Sequence, residues 1–104
     1  MWYLVLSKTV RGPEERDLHK GAHGAWLDAQ HRAGRILFSG PATDGSCGIY
    51  VLLCDSLAEA EQLAGEDPYH QHGDRVVEVL EWRAHRALRL DGTSIEDINA
   101  MARA

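Results

Sequence analysis

The sequence predicts a single α+β domain built on a four-stranded antiparallel sheet with both helices on one face. The chain has 104 residues, which suffices for one domain and is too short for two ordinary ones. Its 44% apolar and 26% charged residues are typical of a globular protein. Strand-like and helix-like segments follow the order strand, helix, strand, strand, helix, strand, which predicts the ferredoxin-like βαββαβ fold.

Four short runs rich in apolar, aromatic and β-branched residues predict the strands. They are residues 2–6, 35–39, 48–53 and 76–82. The pair Gly40-Pro41 predicts a turn that closes the second strand. Asp44-Gly45 predicts the loop of a hairpin that leads to the third strand.

Two helices are predicted by their end signals. The first begins at Pro13 and ends at Gly34, because proline suits the first helical turn and glycine often follows the last. Between them, apolar residues recur at helical spacing. The second begins at Ser56, which forms a capping box with Glu59, and runs to about Gly65.

The C-terminal residues are predicted to form a separate tail. We expect a domain over residues 1–90 and a tail over residues 91–104 that carries a short helix over residues 95–101. Thr93 or Ser94 is placed to cap this extra helix.

Composition and charge exclude several classes of protein. No apolar run approaches the roughly 20 residues that a membrane span requires, and no leader peptide is recognisable, so we expect a cytoplasmic protein. The net charge of -5 argues against a nucleic-acid partner. The cluster Arg83, His85, Arg86 and Arg89 is interpreted as a solvated surface stretch, with a weak anion site as the alternative. Free thiols at Cys47 and Cys54 fit a reducing compartment.

The apolar pattern of the strands predicts a homodimer. The first and third strands are apolar on both faces, whereas two helices cover only one face of a sheet. An uncovered apolar sheet would expose a large patch, and a second copy of the chain is the simplest way to cover it.

Two close pairs of histidines are considered as metal ligands. His19 and His23 stand four residues apart on one border of the first helix's apolar stripe, and His70 and His72 form a second close pair. With Asp67 they offer imidazole and carboxylate ligands for a metal, but no known zinc spacing is matched, so we expect no metal. Asp67 itself reads most simply as part of a helix stop before Pro68.

An ordered set of short motifs resembles the YCII family. The residues are a basic residue three before a histidine, a strand ending in Gly-Pro, and a later Asp-Pro-Tyr followed by glycine: Lys20, His23, Gly40-Pro41, Asp67-Pro68-Tyr69 and Gly73. The resemblance covers nearly the whole chain up to about residue 83.

The resemblance implies a dimeric α+β barrel and an active site at His23 and Asp67. A few relatives act on ring-derived small molecules, including as dehydrochlorinases. This chain departs from the family at Lys20, where arginine is usual. Unlike arginine, lysine cannot form a bidentate contact with a carboxylate or phosphate.

These features predict proton-transfer chemistry on a small cyclic substrate. His23 would act as general acid or base, and Asp67 would fix its tautomer. We expect the substrate-binding residues to be Lys20, Ser39, Tyr69, His70 and Trp26, the last as an apolar wall or as a core residue. Isomerisation, tautomerisation and elimination are all consistent with proton transfer by His23 and Asp67.

Two other functions remain open at this point. One is a non-catalytic ligand-binding or accessory domain, in which His23 and Asp67 only satisfy each other. The other is a cofactorless monooxygenase, by fold analogy alone. No phosphate-cradling loop, nucleophile elbow or dinucleotide fingerprint is present, so we expect no cofactor.

Overall fold

The computed structural model describes residues 1–10, 13–84 and 100 of the chain. In this part of the chain it has four strands: β1 (Trp2–Thr9), β2 (Ile36–Pro41), β3 (Cys47–Leu53) and β4 (Arg75–Trp82). The helices are α1 (Pro13–Arg32), α2 (Leu57–Gly65) and α3 (Pro68–Gln71). The side chains of residues 13–17 are not described.

The strands form one antiparallel sheet in the order β2-β3-β1-β4. This order confirms the predicted ferredoxin-like α+β fold. β1 is central, since Val5 pairs with Tyr50 of β3 on one side and with Val79 of β4 on the other. β2 and β4 lie at the two ends of the strand order.

The core lies between the helices and one face of the sheet. Alternate residues of each strand point to this face, and the buried cluster consists of Tyr3, Val5, Ile36, Tyr50, Leu52, Cys54, Ala60 and Ala64. Trp26 and Leu27 of α1 and Leu63 of α2 pack against it. The same face of β1 continues to Ser7, where apolar packing gives way to a polar site.

The opposite face of the sheet carries exposed apolar residues. Leu6 of β1 pairs with Ile49, and Leu4 pairs with Leu80. Within the described residues, Leu80 is 45% exposed and Trp82 44% exposed. No partner chain is present, so the homodimer and its barrel remain predictions.

Two local predictions are corrected by the structure. Gly40 and Pro41 do not form a turn that closes the second strand, because β2 continues through both residues and Pro41 pairs with Gly48. Proline has no N–H to donate and is tolerated where a strand lies at the edge of a sheet. Pro68 does not simply stop a helix either, since it opens the one-turn helix α3.

The predicted helix ends are confirmed for α1 and α2. α1 begins at Pro13, and Gly34 follows its end with φ of 75°, a conformation that glycine adopts without strain. The Ser56 side chain accepts a hydrogen bond from the backbone N–H of Glu59 at 3.1 Å. The Glu59 carboxylate accepts from the backbone N–H of Asp55, one residue earlier than a standard capping box.

The predictions for the C-terminal end lie almost entirely outside the described residues. These are the tail helix, apart from residue 100, and the basic residues His85, Arg86 and Arg89. The division at residue 90 therefore stays a prediction. Among the described residues, no helix combines the length and apolar character needed to cross a membrane.

Candidate active site

A cavity of about 250 Å³ lies between α1, α3 and the polar end of the sheet. Every element except α2 contributes to its lining, which consists of Ser7, Lys20, His23, Leu27, Ser39, Gly40, Pro41, Gly48, Ile49, Tyr50, Tyr69 and Arg75. Pockets for drug-sized ligands usually start at about 300 Å³. The cavity therefore suits one small molecule, on the scale of a single ring.

His23 and Asp67 form a hydrogen-bonded pair at the wall of this cavity. His23 Nδ1 lies 2.7 Å from Asp67 Oδ1, and the carboxylate is fully buried behind the imidazole. An ionised carboxylate can only accept hydrogen bonds, so Nδ1 of His23 carries the proton. In the neutral ring this leaves Nε2 with the lone pair, and His23 lines the cavity.

The Asp-Pro-Tyr segment positions Asp67 by capping α3. Asp67 is the N-cap residue, and its Oδ1 accepts a hydrogen bond from the backbone N–H of Tyr69 at 3.1 Å. Pro68 follows at the first helical position, where its missing N–H has no cost. The same oxygen thus caps α3 and binds His23, so the local structural role and the contact with His23 coexist.

Tyr69 connects His23 to Arg75. The Tyr69 ring stacks on the His23 imidazole with ring centroids 4.2 Å apart. The Arg75 guanidinium carbon lies 4.4 Å from the centroid of the same tyrosine ring, a cation–π contact. These three side chains therefore hold one another in place along one side of the cavity.

Gly48 makes room for the Arg75 guanidinium. A Cβ atom placed on Gly48 would lie 2.6 Å from Arg75 Nη1, well inside van der Waals contact. Gly48 is paired with Ser7 on β1 and with Pro41 on β2. A side chain at this position would therefore displace the guanidinium from its place over the sheet.

Two buried hydroxyl groups also line the cavity. Neither Ser7 Oγ nor Tyr50 Oη has a hydrogen-bond partner in the described part of the chain. Burial raises the pKa of the Tyr50 phenol well above its usual value; Asp67 raises it further, and Arg75 opposes the shift. Tyr50 therefore keeps its proton near neutral pH and can act as a hydrogen-bond donor.

The structure brings four of the predicted site residues to the cavity itself, namely Lys20, His23, Ser39 and Tyr69. Lys20 is exposed, which places its charge at the solvent side of the cavity. The Ser39 hydroxyl lies 2.8 Å from Nε2 of His31, which is in the last turn of α1. His31 is exposed, but it contacts a residue of the cavity wall.

The structure does not bring His70 or Trp26 to the cavity wall. His70 lies against Gly65 at the end of α2, because neighbouring residues of a one-turn helix point about 100° apart and Tyr69 occupies the inward direction. Trp26 packs edge-on against Tyr50, with ring centroids 5.9 Å apart, so it acts as a core residue that supports the wall.

A second histidine–aspartate pair was not predicted from the sequence. His19 Nδ1 binds the carboxylate of Asp74, which is fully buried, and the His19 ring stacks on His72 with centroids 3.9 Å apart. The four-residue spacing of His19 and His23 was the available signal. From the sequence this spacing was considered only as a possible shared metal site, which we did not expect, and in the structure the two imidazoles bind two different carboxylates.

The grouping of potential metal ligands and the state of the buried cysteine can be described for the described part of the chain. No three histidine, cysteine, aspartate or glutamate side chains in this part of the chain are grouped as metal ligands. Both cysteines are free thiols, as predicted, and Cys54 lies in the core. Burial raises the pKa of the Cys54 thiol to about 11, so it stays protonated near neutral pH.

The fold and the site together define a class: small ferredoxin-like α+β domains with a histidine–carboxylate pair beside a cavity for one small molecule. The family model described as "YCII-related domain" matches residues 1–83. The chain belongs to this family. It is also 31% identical over 81 residues to YjpA, an uncharacterized protein of Bacillus subtilis (strain 168), covering 78% of this chain and 95% of that protein.

A solved structure with the same fold is an enzyme in complex with a small ring compound. It is the 5-chloro-2-hydroxyhydroquinone dehydrochlorinase of Burkholderia phenoliruptrix AC1100 with 2,5-dihydroxybenzoquinone. The TM-score is 0.70 and the sequence identity 21%, with 82% of this chain and 96% of that chain covered. At this identity the similarity shows the fold.

Proposed function

We propose that this chain is a small-molecule enzyme that transfers a proton on a small cyclic substrate, with His23 as the general base or acid and Asp67 as its positioning partner. The observation that carries the proposal is the 2.7 Å contact between His23 Nδ1 and a buried carboxylate, with His23 lining the cavity. The similarity to a dehydrochlorinase bound to a ring compound gives further support.

In the proposed reaction, Nε2 of His23 removes a proton from a substrate carbon next to a carbonyl group. The electron pair left on carbon forms an enolate, and the imidazolium that results is stabilised by Asp67. Return of the proton at another atom completes an isomerisation or tautomerisation. Loss of a leaving group such as chloride, with formation of a carbon–carbon double bond, completes an elimination.

The other cavity residues supply binding and orientation in this proposal. Ser39 and Tyr50 offer hydroxyl groups to substrate oxygens, and Tyr69 holds the imidazole by stacking. Leu27 and Pro41 supply apolar wall for a ring. We propose a cytoplasmic location, because free thiols are maintained in a reducing compartment.

Deuterium exchange tests proton transfer without knowledge of the final product. The protein is incubated in D₂O with a panel of small cyclic ketones, lactones and hydroxyquinones that includes 2,5-dihydroxybenzoquinone, and loss of carbon-bound protons is followed by NMR. We expect at least one compound to exchange with the wild type, and His23→Gln to lower that rate about 100-fold or more.

His72→Gln is the matched control, because His72 is exposed and lies outside the cavity lining. We expect it to exchange at the wild-type rate. If a compound binds but no exchange or chemical conversion occurs, the chain is a binding or accessory domain instead. If exchange occurs and survives His23→Gln, the base is another residue.

A further inference from the structure

We propose that Arg75 binds an anionic oxygen of the substrate, so that the cavity selects small ring compounds carrying a carboxylate or an ionised hydroxyl group. The inference rests on the proposed function in that it takes the cavity as the substrate site. It adds the chemical class of the substrate and names a binding residue that the sequence motifs did not indicate.

Arg75 carries a charge that no carboxylate of the described residues neutralises. The ion pairs in this part of the chain are formed by Lys8, His19 and His23. The Arg75 guanidinium packs against the ring face of Tyr69. Because arginine stays protonated at all physiological pH values, the cavity wall carries a permanent positive charge.

Buried donors at the cavity are left without acceptors in the described part of the chain. Arg75 Nε is buried without a hydrogen-bond partner, and so are the hydroxyl groups of Ser7 and Tyr50, which are 1% and 2% exposed as residues. Buried polar groups in folded proteins are almost always paired, since an unpaired donor is destabilising. An anionic oxygen is the strongest acceptor for N–H and O–H donors of this kind.

The charge balance of the cavity lining also favours an anion. Lys20 and Arg75 are positively charged, and none of the described residues that line the cavity is acidic. Asp67 is paired with His23 and lies behind it. An anion entering the cavity therefore meets Lys20 at the exposed side and Arg75 at the half-buried side, and Arg75 opposes the effect of the Asp67 charge on the wall at Tyr50.

The backbone at Gly48 is adapted to the position of Arg75. The guanidinium occupies the space that a Cβ atom on Gly48 would fill, at 2.6 Å from Nη1. The glycine is not needed for a left-handed backbone conformation, because its φ is not among the positive ones in the described residues. Its lack of a side chain thus serves the close approach of Arg75 to the sheet.

The inference is tested by binding of matched charged and neutral ring compounds, measured by two-dimensional NMR titration. Benzoate is compared with benzamide, and 4-nitrophenolate with 4-nitroaniline, at a pH where 4-nitrophenol is ionised. We expect the wild type to bind at least one anion of the two pairs about tenfold or more tightly than its neutral counterpart, since hydrogen bonds to charged groups are the stronger ones. The pair that shows the preference distinguishes a carboxylate from an ionised hydroxyl group.

Two variants locate the preference at Arg75. Arg75→Gln removes the charge and is expected to abolish the preference for the anion. Gly48→Ala keeps the charge but displaces the guanidinium, and we expect it to lower the preference several-fold. Arg35→Gln is the control, because Arg35 lies outside this cavity and bonds to Gln30, and it should bind like the wild type. The amide spectrum of each variant reports whether the fold is intact.

The inference is overturned if wild-type protein binds charged and neutral compounds equally, if it binds none of them at millimolar concentration, or if a preference survives in a folded Arg75→Gln variant. These results are separable from a failure of the proposed function, because binding is measured without turnover. An intact preference with no deuterium exchange would support the anion site alone. Exchange restricted to uncharged compounds would support the enzyme and not the anion site.

Discussion

Asp67 shows how one carboxylate can hold a helix and a histidine together. Its Oδ1 accepts from the backbone N–H of Tyr69 and contacts His23 Nδ1. The first contact is the usual one of an aspartate that caps a helix, and the second fixes which imidazole nitrogen is protonated. A substitution that keeps the first and changes the second separates the two roles.

We expect Asp67→Asn to disturb the tautomer of His23 while keeping α3 capped. Asparagine is as good an N-cap residue as aspartate, so the contribution of the cap, about 1 kcal/mol, is retained. An amide lacks the negative charge that favours a proton on Nδ1 and stabilises the imidazolium. Long-range ¹H–¹⁵N spectra of the neutral ring should show protonated Nδ1 in the wild type and a loss of that state in Asp67→Asn. Turnover should fall by about 10²–10⁴-fold, by analogy with other histidine–aspartate pairs.

Asp67→Ala is the companion variant for this experiment, because it removes both the cap and the carboxylate. We expect it to lose the tautomer preference and, in addition, to unfold at lower urea concentration than Asp67→Asn. If Asp67→Asn keeps the wild-type tautomer and turnover, the carboxylate at this position serves only to cap α3.

Some residues of the candidate site could be predicted from the sequence, and one could not. His23, Asp67 and Tyr69 were predicted because family motifs mark them, and the structure brings them into contact. Arg75 was not predicted, because it lies at the start of β4 and its approach to the cavity depends on the space above Gly48. That relation joins two strands that are not neighbours in the sheet, so no local pattern reveals it.

At the scale of elements, α1 is linked to the segment around α3 by two histidine–aspartate pairs. His19 and His23 are one helical turn apart on α1, and they bind Asp74 and Asp67, which flank α3 on either side. Both carboxylates are fully buried. A helix of four residues has little stability of its own, so side-chain contacts of this kind determine where it lies.

We expect His19→Ala to destabilise the fold through the buried Asp74 carboxylate. Loss of one hydrogen-bonding partner of a buried charged group costs about 1–3 kcal/mol, and the free energy of unfolding measured in urea should fall by that amount. His31→Ala is the matched control on the same helix, since His31 is exposed and its side chain bonds to the exposed Ser39 hydroxyl, not to a buried carboxylate of the described residues. The two variants share the gain in helix propensity that alanine brings.

The difference between the two alanine variants therefore reports what His19 contributes through its contacts with Asp74 and His72. Equal stabilities of His19→Ala and His31→Ala would mean that the pair does not hold α3 in place. α3 itself was not predicted from residues 68–71, because a single helical turn carries no periodic pattern. The strands and the two longer helices were predicted because their patterns extend over a full element.

At the scale of the whole molecule, the two faces of the sheet differ in what covers them. The helices cover the face that holds the core, and the other face carries Ile49, Val76, Leu80 and Trp82, all between 38% and 54% exposed. The register places these residues on the same side as Leu4 and Leu6 of β1. Large exposed apolar patches on folded proteins often mark interaction sites, so this face is the basis for predicting association.

We therefore expect a homodimer that packs these sheet faces together and that dissociates when a charge is placed on them. Leu80→Glu would place a carboxylate in the interface without a partner, which is strongly unfavourable, so it should sediment as a monomer at concentrations where the wild type is dimeric. Leu57→Glu is the control, because Leu57 is 40% exposed, close to the 45% of Leu80, but lies at the start of α2 on the helical side. It should remain dimeric. A monomeric wild type at high micromolar concentration, or a dimeric Leu80→Glu variant, would contradict this interface.

The dimer is also expected to affect ligand binding. Ile49 belongs both to this sheet face and to the cavity lining, so a second copy would lie beside the cavity. We therefore expect the monomeric Leu80→Glu variant to bind ring compounds more weakly than Leu57→Glu does.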